Sequence, residues 1–125
     1  MITKEIVENI IEHKINNESI YKHAFMHKSS SSESLESNER LEFIGDSVLG
    51  LVVTSYIYDN YPNENEGFLT RIRTKIVSGK ALCKIAEKLN FHNFIVMNEK
   101  GMKNEWYKNA RILEDSLEAF IGSIY

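Results

Sequence analysis

A single proline, Pro62, and six glycines leave long stretches of this chain free to form helices, and within those stretches apolar residues recur at intervals of three and four. That spacing predicts an all-α fold. A length of 125 residues supplies one core and is too short for two ordinary domains, so residues 1–125 are expected to form a single domain. The lone cysteine, Cys83, cannot close an internal disulfide, which excludes stapled secreted scaffolds and leaves it a small core residue. No window approaches the roughly eighteen uninterrupted apolar residues of a membrane span. The start, MITKEIVENIIEHK, is amphipathic and lacks a signal-peptide core. An intracellular, cytoplasmic chain with no membrane partner is expected.

Caps and stripes divide the chain. Thr3 is placed to cap a helix carrying Ile6, Ile10 and Ile11, and a short helix fits residues 19–25. Six serines between positions 29 and 37 give nothing to bury and read as a mobile surface loop. Asn38 then caps a long helix, Glu39 to Asn60, with Leu41, Ile44, Val48, Leu51, Val52 and Ser55 on one stripe and Leu49, Val53 and Ile57 on a second. Such a helix should be central. A turn at Tyr61, Pro62 and Asn63 leads to a helix with Phe68, Leu69, Ile72 and Ile76, which also bears Arg71, Arg73 and Lys75. Ser78 starts another with Leu82, Ile85, Ala86 and Leu89, ended by Asn90. Residues 91–97 are ambiguous, and Asn109 caps a last helix whose stripe is Leu113, Leu117, Phe120, Ile121 and Ile124.

The net charge of -3 argues against a simple basic nucleic-acid binder, but it hides an uneven distribution. Residues 64–108 hold nine Lys and Arg against five Glu, whereas the rest holds six against thirteen acids. One segment can face a polyanion while another concentrates carboxylates. Arg71, Arg73 and Lys75 form either a solvated face or an RNA-contacting edge.

Acids stand in unexpected places. Asp46 lies between Ile44 and Val48 in a helix apolar nearly all round, where an unpaired carboxylate would be costly. Glu42 is one turn earlier on the same face, and in the last helix Asp115 and Glu118 stand three apart beside the core stripe. Each pair alone is most simply a solvated face. Facing each other, the four would repel, and Mg2+ or Mn2+ with its waters is the natural neutraliser. The four histidines, His13, His23, His27 and His92, are dispersed, and no cysteine pair or glycine-rich phosphate loop competes for the chemistry.

The string ERLEFIGDSVL at 39–49 closely resembles the signature of the ribonuclease III family of double-stranded-RNA endonucleases. ILEDSLEAFIGSIY at 112–125 is similar to that family's second acidic motif, HAFMHKS at 23–29 to its early segment, with Met26 where Thr is usual, and EGFLTRIRTKIVS at 66–78 to the helix after the signature. The resemblance runs from about Tyr21 to Tyr125. It implies the family's helical endonuclease fold, a homodimer, and catalytic, metal-binding roles for Glu42, Asp46, Asp115 and Glu118, with Glu118 mattering most to the metal. By the same resemblance Glu39 is an auxiliary acid at the RNA surface and Phe43 inserts into the partner subunit.

The implied activity is Mg2+-dependent hydrolysis of double-stranded RNA to 5'-phosphate and 3'-hydroxyl ends with short 3' overhangs, by a domain without a double-stranded-RNA-binding domain in this chain. Weak, salt-sensitive RNA binding follows from that lack and from the net charge. A non-catalytic structured-RNA-binding or ribonucleoprotein subunit of the same fold is the alternative, disfavoured because such relatives typically lose acidic ligands. Glu114 stands where a small residue is usual and, at about 100° from Asp115 around the helix, is expected to point away from the site.

Overall fold

The computed structural model describes residues 1–30 and 37–125, and among them the secondary structure is helical apart from one isolated bridge. Seven α-helices run in order: α1 Lys4–Ile11, α2 Glu18–Ala24, α3 Glu39–Asn60, α4 Glu66–Ile76, α5 Gly79–Lys88, α6 Glu99–Lys103 and α7 Ala110–Ile124. Local chemistry sets most of their ends. The side chains of Thr3, Asn65, Ser78 and Asn109 accept hydrogen bonds from first-turn amides of α1, α4, α5 and α7. Asn90, in the left-handed region at φ 60°, turns the chain after α5. Residues 31–36, most of the serine run, lie outside the described residues, while Lys28–Ser30 forms a 3-10 turn.

The centre of the molecule is α7, where the sequence pointed to α3. Leu113, Ser116, Leu117, Ala119 and Phe120 are buried, and the hydroxyls of Ser116 and Ser123 donate to the carbonyls of Leu113 and Phe120. Phe120 packs with Phe91 (ring centroids 5.2 Å apart), Phe25 and Tyr21, a cluster that ties α2 and the α5–α6 connection to α7. The ambiguous stretch after α5 is a 3-10 turn, Phe91–Asn93, followed by extended chain that exchanges hydrogen bonds with residues 25–27. This bridge brings His27 and Lys28 to the start of α3.

The most extensive helix contact is α3 on α7. Its closeness has a local cause. A Cβ on Gly45 would collide with the Glu118 carbonyl, and one on Gly122 with the Leu41 carbonyl, so each helix offers a glycine where the other's backbone passes. A larger residue at either place would push the helices apart.

Several expected burials are not found. In α3 only Gly45 and Ile57 are buried, while Ile44, Leu51, Val52 and Ser55 of the proposed stripe are exposed. Asp46 is exposed as well, so no desolvation cost attaches to it within the single chain. Ile85 and Ile124 are also exposed, the first because Cys83 and Ala86 face the core in α5, the second at the last residue of α7. Asn38 makes no side-chain cap, since its backbone is already helical, and the Ser37 hydroxyl accepts from the Glu39 amide instead. By length and composition α3 would pass for a membrane span, which counting uninterrupted apolar runs failed to register. Its packing along α7 makes it part of the domain.

Candidate active site

Glu42 and Asp46 leave α3 on either side of Gly45, and Asp115 and Glu118 leave α7 across the same crossing. The 3-and-4 spacing of each pair directs both its members to one side, and the glycine contact brings the two sides together. The result is a cavity of about 540 Å3 lined by Glu39, Glu42, Phe43, Asp46, Ser47, Arg111, Glu114 and Glu118. A smaller cavity of about 230 Å3 shares Glu39 and Glu42 with it and adds His27, Lys28, Asn38, Ile112 and Asp115. Glu39 and Glu42 thus stand at the junction, with Asp115 on the side of the smaller cavity.

The electrostatics record how crowded the carboxylates are. Glu118 is only 8% exposed, and its carboxyl is pushed up to about 7, first by burial and then by Asp46, Glu114, Glu42 and Asp115. Glu42 is likewise pushed up to about 7, by burial first and then by the Asp115 carboxylate, which repels its charge and accepts a hydrogen bond from its protonated form. One oxygen of Asp115, Oδ1, is shut away from solvent and has no hydrogen bond, although Arg111 Nε lies 3.1 Å from it as an ion pair. On the far side, burial and then Lys28 lower the pKa of the His27 ring, while Asp115 and Glu39 oppose the shift.

Hard, mutually repelling oxygens with one buried and unbonded atom fit a divalent cation better than any neutral ligand. Among the described residues no three acids, histidines or cysteines form a ready-made metal cage.

Of the residues singled out in the sequence, Glu39, Glu42, Asp46, Asp115 and Glu118 line these two cavities, and Phe43 stands at the rim, 80% exposed. Arg71, Arg73 and Lys75 are exposed on α4 and line neither cavity. Arg73 donates to the Thr54 hydroxyl at 3.4 Å, about 12 Å along α3 from Asp46 by helical rise. Glu114 corrects its expected direction: its side chain reaches across to Gly79 and lines the larger cavity. Arg111, Ser47, His27, Lys28 and Asn38 were not singled out for the site. The available signal for Arg111 was its place four residues before Asp115, the reach of a helical ion pair.

Residues 17–125 match the family described as Ribonuclease-III-like. The chain belongs to the ribonuclease III family. It is 49% identical over 125 residues to protein A464R of Paramecium bursaria Chlorella virus 1, covering all of this chain and 45% of that protein. It is 36% identical to Ribonuclease 3 of the Wolbachia of Brugia malayi, covering 97% of this chain and 51% of the relative. The chain thus spans about half the length of these curated relatives. Among solved structures, a nuclease domain of ribonuclease III from Campylobacter jejuni superposes with a TM-score of 0.89 at 37% identity, over 98% of this chain and 84% of that one. That structure is described as flexible in a region involved in dimer formation. The all-α nuclease-domain fold is therefore established for this member of the family, α3 included.

Proposed function

We propose that this chain is the nuclease domain of an intracellular, Mg2+-dependent endoribonuclease that works as a homodimer on double-stranded RNA. The observation that carries the reading is the convergence of Glu42, Asp46, Asp115 and Glu118 from two helices held at backbone contact by Gly45 and Gly122. Such a cavity repels a polyanion unless a cation fills it.

Glu42, Asp46, Asp115 and Glu118 would hold the ion. Bound there, Mg2+ (or Mn2+) supplies a water of lowered pKa and neutralises charge on the phosphoryl oxygens and the leaving 3' oxygen. The chain's own contribution is positional and protonic. Glu42 and Glu118, pushed up to about 7, would give up their protons to hold the ion, and the glycine crossing fixes the distance between the two acidic pairs. Phe43 and the exposed apolar residues Leu51, Val52 and Tyr56 give a second copy a surface to cover. Two-fold symmetry then presents two cavities to opposite strands, one cut by each, leaving 5'-phosphate and 3'-hydroxyl ends with short 3' overhangs. In this reading Glu39, which lines the cavity, faces the RNA, and the exposed basic row Arg71, Arg73 and Lys75 offers phosphate contacts away from it.

Incubation of long duplex RNA with the protein tests this directly. Cleavage is expected in Mg2+, with none in Ca2+ or EDTA and none by Glu118→Gln. An intact duplex in Mg2+ with folded wild-type protein would contradict it, and duplex binding without cleavage would favour a binding subunit.

A further inference from the structure

Arg111 occupies an unfavourable place. It stands in the first turn of α7, where the positive end of the helix dipole disfavours a cation, and its side chain is 74% exposed. It is the one basic residue among those lining the acidic cavity. What holds it is the 3.1 Å approach of Nε to Asp115 Oδ1, the solvent-shielded oxygen that has no hydrogen bond. With its guanidinium in solvent, an i,i+4 pair of this kind is a modest contact even though the Asp115 oxygen is shielded. A divalent cation drawn to Glu42, which both cavities share, competes for the Asp115 carboxylate on the smaller cavity's side, because the local negative charge that attracts one cation attracts the other.

We propose that Arg111 is a positioning residue that changes partner: it neutralises Asp115 in the cation-free protein, yields Asp115 to the divalent cation, and then takes a phosphate of the duplex at the cavity mouth. The inference rests on the reading of the cavity as a metal-dependent RNA site and deepens it. A guanidinium matches phosphate with two parallel donors, and its long stem lets it leave the carboxylate without moving α7. The two contacts are exclusive, so loading the cation and gripping the substrate are linked through one side chain.

The test measures binding, with no turnover. Mn2+ is titrated calorimetrically into wild-type protein, Arg111→Gln, Glu118→Gln and Arg40→Gln, the last removing an exposed charge from α3 that lines neither cavity. Arg111→Gln is expected to bind Mn2+ about two- to threefold tighter than wild type, the scale of a lost i,i+4 pair, with Arg40→Gln changing less. In Ca2+, duplex RNA binding by Arg111→Gln should weaken and its logarithmic salt slope should fall by about 2, as for one lost phosphate contact from each subunit of the dimer, with Arg111→Lys restoring most of it. Mn2+ affinity in Arg111→Gln no greater than in wild type or in Arg40→Gln, or an unchanged salt slope, overturns the exchange while leaving the metal site standing. Absence of Mn2+ binding to wild type, or equal binding to Glu118→Gln, overturns the metal site and the exchange together.

Discussion

Glu118 shows how a single side chain couples folding to the site. Its carboxyl, raised from 4.5 to about 7 by burial and by Asp46, Glu114, Glu42 and Asp115, keeps a proton in the folded chain that the unfolded chain gives up at lower pH. The stabilisation this provides is full below pH 4.5 and is lost as pH rises through about 7, since the native state binds more protons across that window. In EDTA, the unfolding free energy is expected to drop by roughly 1–3 kcal/mol over this range, after allowance for solvent screening. Urea titrations at about pH 5 and about pH 8 measure it. Glu118→Gln should lessen the decline without abolishing it, since Glu42 is also raised to about 7, and added Mg2+ should offset it in wild type; a Gln variant as pH-sensitive as wild type would contradict the assignment. The four acids were legible in the sequence because helical spacing puts each pair on one side. Arg111 and Glu114 were legible by the same rule, since they stand seven and four residues before Glu118 and so about 20° and 40° from it around the helix; measuring Glu114 from Asp115 alone hid this.

At the scale of elements, the site depends on how closely α3 and α7 approach. Gly45 and Gly122 are the residues that permit it, and neither is needed for backbone freedom, since both lie within regular helix. Replacing Gly45 with Ala relieves the helix-propensity cost of glycine yet forces a methyl group into the Glu118 carbonyl. Overpacking should win: a net loss of about 1–3 kcal/mol in stability is expected, with weakened Mn2+ binding, both measured on the folded variant. Stabilisation by the substitution, with Mn2+ binding intact, would show that the crossing is looser than described. The helices themselves were readable from periodicity and caps. Their pairing was not, because the pattern of α3 is apolar nearly all round and names no partner. Apolar residues left exposed on a helix look the same in sequence as those that fill a core, which is why α3 read as central while α7 takes that place.

For the whole molecule, the exposed residues Phe43, Leu51, Val52 and Tyr56 set an expectation about assembly. Sedimentation should give a dimer for wild type, and Leu51→Glu should give a monomer of unchanged helix content, because the carboxylate would be buried against the second copy. A monomeric wild type at micromolar concentration would remove the two-strand geometry. The proposed metal site and the proposed two-copy assembly jointly define the products expected. The most direct measurement is end mapping of a defined RNA duplex after digestion in Mg2+. Both strands should carry breaks with 5'-phosphate and 3'-hydroxyl termini, staggered to leave short 3' overhangs, whereas uncut strands or termini ending in 3'-phosphate would contradict the account.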